Sequence, residues 1–340
     1  NSRAVKRIND VNVLRTLQFR EDAGPMSHPV RPASYIEINN FYTVTIYNKG
    51  AEIVRMLHNL VGAEAFRKGT DHYFSHHDGH AVTTDDFVKS IEDTSDNDFT
   101  QFKRWYSQAG TPELTVSGHY DPQQCTYTVT IKQICPQSSD QNKNEPFYMP
   151  FAMALIDKTG KEMHLQRSGE KNISVTTKVL TISQKEEDIV FINIPSLPTP
   201  SYLRGFSAPI RLNTDLTDDD LYFLMCHDSD EFNRWEAGQR LAVNLILKLV
   251  NELQQNKTPV IDTKFILAFK KTLEDKQLDK AFIAQALTLP NETYIAEFME
   301  VIDPIAIHQA RRLLRKTIAK KLKMNLLVFL LVRDKVGAVA

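Results

Sequence analysis

Cysteine is scarce in this chain: three in 340 residues, at positions 125, 135 and 226, with no Cys-x-x-Cys spacing. An odd and sparse set excludes a disulfide framework and reads as free thiols in a reducing, cytoplasmic compartment. An excess of either charge is also lacking, since 41 Lys and Arg stand against 42 Asp and Glu for a formal net charge of −1. That balance argues against a nucleic acid or a charged membrane surface as the main partner. Apolar runs long enough to cross a bilayer, about 20 residues, are absent, and the run at 326–332 falls far short. The opening Asn-Ser-Arg-Ala-Val-Lys-Arg-Ile has neither an initiator Met nor a signal-peptide core, which predicts a truncated start. There is no G-x-S-x-G elbow, no P-loop and no dinucleotide fingerprint. What remains is ordinary globular material, 42% apolar and 24% charged, in a chain long enough for two or three domains.

Hydrophobic periodicity divides the chain in three. Up to about residue 110 it is helical. Ile53, Met56, Leu57 and Leu60 line one face of a helix over 49–60, Gly62 stops it, and a second helix covers 65–74. Asp78-Gly79 marks a turn, and Thr83-Thr84-Asp85-Asp86 caps a helix carrying Phe87, Val88 and Ile91. A further helix is expected over 99–106, closed by the stop Ala109-Gly110-Thr111-Pro112. After Pro112 the period becomes two, with strands at 114–116, 127–131, 149–157, 162–166, 174–182 and 188–191 and a polar loop over 135–146. Short strands between turn signals predict a small antiparallel β-sandwich that ends near the proline-rich stretch 195–209. From Asp218 the helical period returns over 218–228, 231–253, 260–274, 278–286, 293–300 and 304–322, an α-helical array of stacked pairs. The fold class is therefore multidomain α+β.

Two segments carry residues suited to chemistry. His72-Tyr-Phe-Ser-His76 sets two imidazoles at i, i+4, with His77 and His80 nearby. A zinc peptidase places a Glu directly after the first His as general base. Tyr73 occupies that position, and no third ligand is indicated, so a surface histidine cluster is the better reading and no metal is expected on this chain. The second segment packs Asn39, Asn40, Tyr42 and Tyr47 into nine residues before a helix. These side chains can donate hydrogen bonds to a substrate or to a developing oxyanion. On the residues alone, packing at a helix start is the stronger reading.

The flanking motifs change that weighting. Met26-Ser-His-Pro-Val-Arg-Pro32, followed by Glu37-Ile-Asn-Asn-Phe-Tyr-Thr-Val-Thr-Ile-Tyr-Asn-Lys-Gly-Ala-Glu-Ile-Val-Arg-Met56, resembles the bacterial type of the aminopeptidase N family of zinc metallopeptidases. The similarity continues through Phe102-Lys-Arg-Trp-Tyr-Ser-Gln-Ala-Gly-Thr-Pro112, Phe206-Ser-Ala-Pro-Ile210 and Phe223-Leu-Met225 to Ile302-Asp-Pro-Ile-Ala-Ile307, covering about residues 1 to 322. The resemblance implies that residues 1–110 are the C-terminal half of a thermolysin-like catalytic domain, 111–212 the β-sandwich, and 213–323 the start of an α-helical C-terminal domain. It leaves 324–340 as an aberrant apolar tail, for which a shifted reading frame or an assembly artefact is the preferred account and a membrane-associating tail the alternative.

It also implies function: zinc-dependent removal of N-terminal residues from peptides. In the family, zinc sits on a His-Glu-x-x-His helix and a downstream Glu, and a Gly-x-Met-Glu-Asn-type segment anchors the substrate amine. All of these are expected N-terminal to this chain. Tyr47 matches the family's catalytic tyrosine, whose phenol donates to the oxyanion formed when zinc-bound hydroxide attacks the scissile carbonyl. Asn39 and Tyr42 match positions lining the substrate pocket. The chain alone is then expected to be inactive, since zinc is a cofactor of the full-length family member only. The alternative, from a different class, is a non-catalytic interaction protein made of a sandwich and a helical array.

Overall fold

A computed structural model describes residues 2–135, 145–171 and 175–334, and packing divides the chain into two units. One comprises residues 10–215; the other joins 216–340 with residues 1–9.

Leading into the first unit, α1 (Arg3–Val13) passes into a π-helical turn (Leu14–Gln18) and then α2 (Phe19–Ala23). A 3-10 turn (Ile38–Phe41) and a second π-helical turn (Thr45–Lys49) lead into α3 (Gly50–His77). The stop expected at Gly62 is present: with φ 80° and ψ 166° it breaks α3 in a conformation that glycine alone adopts cheaply. Ile53, Met56 and Leu57 are fully buried on the segment before it. α4 (Thr84–Glu92) is capped as its sequence predicts, the Thr83 backbone N–H donating to Asp86 Oδ2 at 2.7 Å. α3 and α4 meet at Gly69, where a Cβ would come within 2.4 Å of Ile91 Cδ1.

The helix expected over 99–106 is shorter, and only Arg104–Ser107 (α5) is α-helical. The cause is visible in the packing. Phe99, Phe102 and Trp105 are all fully buried at a spacing of three, and the backbone follows with i→i−3 bonds such as Trp105 N–H to Phe102 O at 3.0 Å. These bonds are 3-10-like, while Lys103 N–H closes i→i−4 on Phe99 O, so the stretch is a run of turns ahead of α5.

The sandwich then forms from β1 (Glu113–Asp121), β2 (Thr126–Ile134), β3 (Met149–Ile156), β4 (Gln166–Arg167), β5 (Thr177–Ile182), β6 (Glu186–Ile192), β7 (Thr199–Ser201) and β8 (Arg211–Thr214). One sheet has the order β4-β6-β2-β1-β8 and the other β5-β3-β7. Alternation follows the sequence in β2, where Tyr127, Val129, Ile131 and Gln133 point inward. β3 is buried at every position because its second face lies under α3, so it reads as a continuous apolar run. Arg55 Nη1 and Asn59 Nδ2 of α3 donate to the Phe206 and Ser207 carbonyls at 3.2 Å, fixing the helix on the sandwich.

Three details differ from the sequence expectation. The strand at 162–166 reduces to a bridge between Glu162 and Ile156 and the two-residue β4. The proline-rich stretch contains β7, tolerated because Pro200 lies on an edge strand where a missing N–H costs little. β8 then adds to β1 in parallel, Glu113 opposite Arg211, so the sandwich carries one parallel pair. Most of the predicted polar loop (136–144) and the start of the predicted strand at Ser174 lie outside the described residues.

The second unit contains α6 (Asp218–His227), α7 (Glu231–Gln254), α8 (Thr263–Glu274), α9 (Lys280–Ala286), α10 (Glu292–Ala296), α11 (Pro304–Lys321) and α12 (Lys323–Asp334). Side-chain oxygens of Thr217, Asp230, Asp262, Asp279, Asn291 and Asp303 accept backbone N–H groups at the starts of α6 to α11, from 2.7 to 3.2 Å. α7 is the central helix, burying Trp235, Leu241, Ala242, Ile246 and Leu249 and packing with α6 and α11. The apolar run after Lys323 is helical as α12 and packs on α8. Among the described residues no helix is long and apolar enough to cross a membrane.

Candidate active site

The segment from Tyr35 to Lys49 is built by local hydrogen bonds. Asn40 Oδ1 accepts from the Ile36 and Glu37 N–H groups at 3.2 and 3.0 Å, starting the 3-10 turn, and Tyr42 N–H closes it on Asn39 O at 3.1 Å. Thr43 then begins the next turn, its Oγ1 accepting Ile46 N–H and its carbonyl accepting Tyr47 N–H, both at 3.1 Å. The turn is one residue wider than an α-helix, since Gly50 N–H reaches back to Thr45 O.

Asn39, Tyr42 and Tyr47 all lie on the outer face. Tyr42 is 68% exposed and Tyr47 58%, and their rings stack with centroids 5.9 Å apart at 20°. Asn39 stands on the adjacent 3-10 turn, exposed. Neither the Tyr47 phenol nor the Asn39 amide is engaged in a hydrogen bond among the described residues, so both are free to donate outward. The structure thus brings Tyr42 and Tyr47 together and puts Asn39 beside them in the chain.

The inner face of the same turn is the opposite in character. Thr45 and Lys49, each two residues from Tyr47, are completely buried. Glu21 Oε1 accepts both the Thr45 hydroxyl and the Thr45 N–H, the latter at 3.1 Å. Gln18 Nε2 donates to Thr45 Oγ1 at 3.3 Å. Lys49 Nζ donates to Asp22 Oδ2 at 2.8 Å and to the Gly110 carbonyl at 2.9 Å, and the Thr111 hydroxyl donates to the same Asp22 oxygen at 2.8 Å. The Lys49 and Asp22 side chains are each only 1% exposed. Gln18 closes the first π-helical turn, where Phe19 N–H bonds to Leu14 O. Two widened turns therefore face each other, clamped by polar side chains. Sequence reading missed Gln18, Glu21, Asp22, Thr45 and Lys49. Lys49 was placed only as the start of an amphipathic helix, and nothing in the pattern links it to Asp22, 27 residues earlier.

The histidine cluster does not make a zinc site. The His72 and His76 rings are 4.1 Å apart, but His76 Nδ1 is turned to the His72 carbonyl at 2.9 Å. The nearest carboxylate, Asp93, stands 4.0 Å from His72 Nε2, an ion-pair distance well beyond zinc ligation at about 2.0–2.2 Å. Among the described residues no group of three His, Cys, Asp or Glu side chains converges to hold a metal. The residues present do not fit zinc. Burial pushes the Cys135 and Cys226 thiols up, away from the thiolate, which does not favour thiol chemistry at these two positions.

Comparison with known proteins completes the picture. Residues 5–106 match the peptidase family M1 domain, 110–215 a domain of unknown function with an Ig-like fold (DUF3458), and 218–335 its companion domain of ARM repeats (DUF3458_C). Over 326 residues the chain is 45% identical to aminopeptidase N of Escherichia coli K12 and 41% identical to that of Haemophilus influenzae. Each match covers 96% of this chain, and the chain spans 37% of the length of either relative. Aminopeptidase N of Caulobacter vibrioides is 42% identical over 316 residues, 93% of this chain and 35% of that protein. The structure of Legionella pneumophila aminopeptidase A in complex with aspartic acid superposes with a TM-score of 0.76 at 30% identity, over 89% of this chain and 33% of that one. Matched along nearly its whole length in sequence and in fold, the chain belongs to the aminopeptidase N family of M1 peptidases.

Proposed function

We propose that this chain is the part of a cytoplasmic, zinc-dependent aminopeptidase that supplies the oxyanion donor, in an enzyme that releases N-terminal residues from peptides. The observation that carries the reading is the M1 peptidase match over residues 5–106, which contains Asn39, Tyr42 and Tyr47. In this reading residues 1–110 are the C-terminal half of the catalytic domain, 111–212 the sandwich and 213–323 the start of the helical domain.

Peptide hydrolysis builds negative charge on the carbonyl oxygen as the nucleophile adds. The Tyr47 phenol, exposed and uncommitted to any partner among the described residues, donates to that oxygen. Tyr42, stacked on it, supplies an apolar wall for the substrate, and Asn39 an amide able to bind its backbone. Zinc and the general base come from outside this chain, whose sequence has no His-Glu-x-x-His and whose described residues do not fit the metal. The purified 340-residue chain, incubated with zinc, is expected to leave alanine p-nitroanilide intact, whereas the full-length protein carrying it cleaves that substrate. Hydrolysis by the chain alone at stoichiometric zinc, or a full-length protein without aminopeptidase activity, would refute the proposal.

A further inference from the structure

Resting on the assignment of Tyr47 as oxyanion donor, we infer that Thr45, Glu21 and the Asp22–Lys49 pair are positioning residues for it. Tyr47 N–H makes one i→i−4 bond, to Thr43 O, but the turn then widens to i→i−5 at Gly50, so a regular helical ladder does not continue past Tyr47 to fix where its Cα–Cβ bond points. Direction must come from the residues on either side, and both are anchored. Thr45 is tied through its hydroxyl and its N–H to one carboxylate oxygen of Glu21. Lys49 is tied to Asp22 and to the Gly110 carbonyl.

Chemistry supports a role beyond packing. A buried Lys–Asp pair rarely repays its desolvation, and apolar residues of the same volume would hold a core as well. Here the polar atoms are not fully satisfied: Asp22 Oδ1 and Gln18 Oε1 are buried with no hydrogen-bond partner among the described residues. In some proteins buried ionic groups are kept for the geometry they specify rather than for the stability they add. The pair also joins distant chain segments. Asp22 takes the Thr111 hydroxyl, so the Tyr47 turn is tied to the Gly110-Thr111 junction that opens β1. A phenol displaced by about 1 Å loses up to about 100-fold in rate, so modest tilting of this turn is enough to matter.

The test pairs an isosteric loss with its conservative rescue. Thr45→Val removes the hydroxyl held by Glu21, while Thr45→Ser keeps it; Lys49→Met removes the ammonium. In the 340-residue chain carrying 3-fluorotyrosine, the Tyr47 resonance is assigned by its disappearance in Tyr47→Phe. It is expected to be single and sharp in the parent and in T45S, and shifted or split in T45V and K49M. In the full-length zinc-loaded enzyme, T45V lowers kcat about 10- to 100-fold at unchanged KM, and T45S restores it. If the substitutions lower thermal stability while the resonance and kcat stay at parental values, the residues are structural only and the inference is wrong. If Tyr47→Phe itself leaves kcat unchanged, the assignment of Tyr47 fails instead, and the fluorine spectrum still decides whether the clamp orients the ring. Should K49M not fold, T45V and Glu21→Gln, which leave the Lys49–Asp22 pair intact, give the same discrimination.

Discussion

The turn that carries Tyr47 and the helices of the second unit solve the same problem, fixing a short helical segment, in opposite ways. α6 to α11 each start with a side-chain cap, a local contact between residues two or three apart. The Tyr47 turn has one contact of that kind, Ile46 N–H to Thr43 Oγ1. It is held in addition by contacts spanning 24, 27 and 61 residues, made by largely buried groups. Local caps spread stability over many small contributions, each replaceable. A long-range buried clamp concentrates it in a few atoms, and it fixes direction as well as existence. The difference teaches where precision is needed under the proposed role of Tyr47: the regular helices must only be present, whereas the turn would have to aim a phenol.

This contrast makes its largest prediction at Lys49. Replacing it with Met leaves Asp22 buried with only the Thr111 hydroxyl, and breaking such a pair by removing one partner costs about 3–5 kcal/mol. Chemical denaturation should show this loss. Asp22→Asn combined with Lys49→Met should cost much less than the sum of the two single changes, since the groups act as one unit. An additive result would place the clamp in the same class as the caps.

A smaller effect is expected in the array. Asp279→Ala, which removes the acceptor of the Phe282 N–H, should cost about 1 kcal/mol, and Asp303→Ala a similar amount, with the two effects adding. Loss of several kcal/mol from one cap would break the comparison.

The smallest effect is a pH dependence at the end of α6. His227 Nε2 accepts from the Lys271 ammonium at 2.9 Å, which requires a neutral ring. Burial first, and then the charges of Lys271 and Arg234, hold its pKa below the usual imidazole value. The unfolded chain therefore takes up this proton at higher pH than the folded one. Stability should be unaffected above the ordinary value of about 6.5, fall as pH drops through the window below it, and level off beneath the folded pKa. His227→Gln should remove that part of the slope in a series of urea melts.

The same contrast explains what the sequence disclosed. The array was legible because its signal is local, a helical period that returns at Asp218, and the structure sets Thr217, Asp230 and Asp303 at the starts of three of the helices so read. Gly62 and the Thr83 box were legible for the same reason. The π-helical turns were not, because one extra residue per turn leaves no periodic trace. β7 was hidden by Pro200, which an edge strand tolerates, and β8 by its brevity, four residues directly after the proline-rich stretch. The spacing of three at Phe99, Phe102 and Trp105 imitates a helix over a short stretch. At the site, the outer residues Asn39, Tyr42 and Tyr47 came from a resemblance, while the clamp behind them is a tertiary fact. A lysine at a helix start reads as solvent-facing until an aspartate from another segment is seen to meet it.

The most direct test of the account is the turnover of the full-length protein with Tyr47→Phe, measured as kcat and KM on alanine p-nitroanilide. Removing one hydroxyl from an exposed ring should leave stability within about 0.5 kcal/mol. The account predicts that kcat falls about 10²- to 10³-fold while KM changes little, the signature of a donor used only as the oxyanion forms. A kcat within a few-fold of the parent would contradict it and return Tyr47 to the status of a surface aromatic stacked on Tyr42.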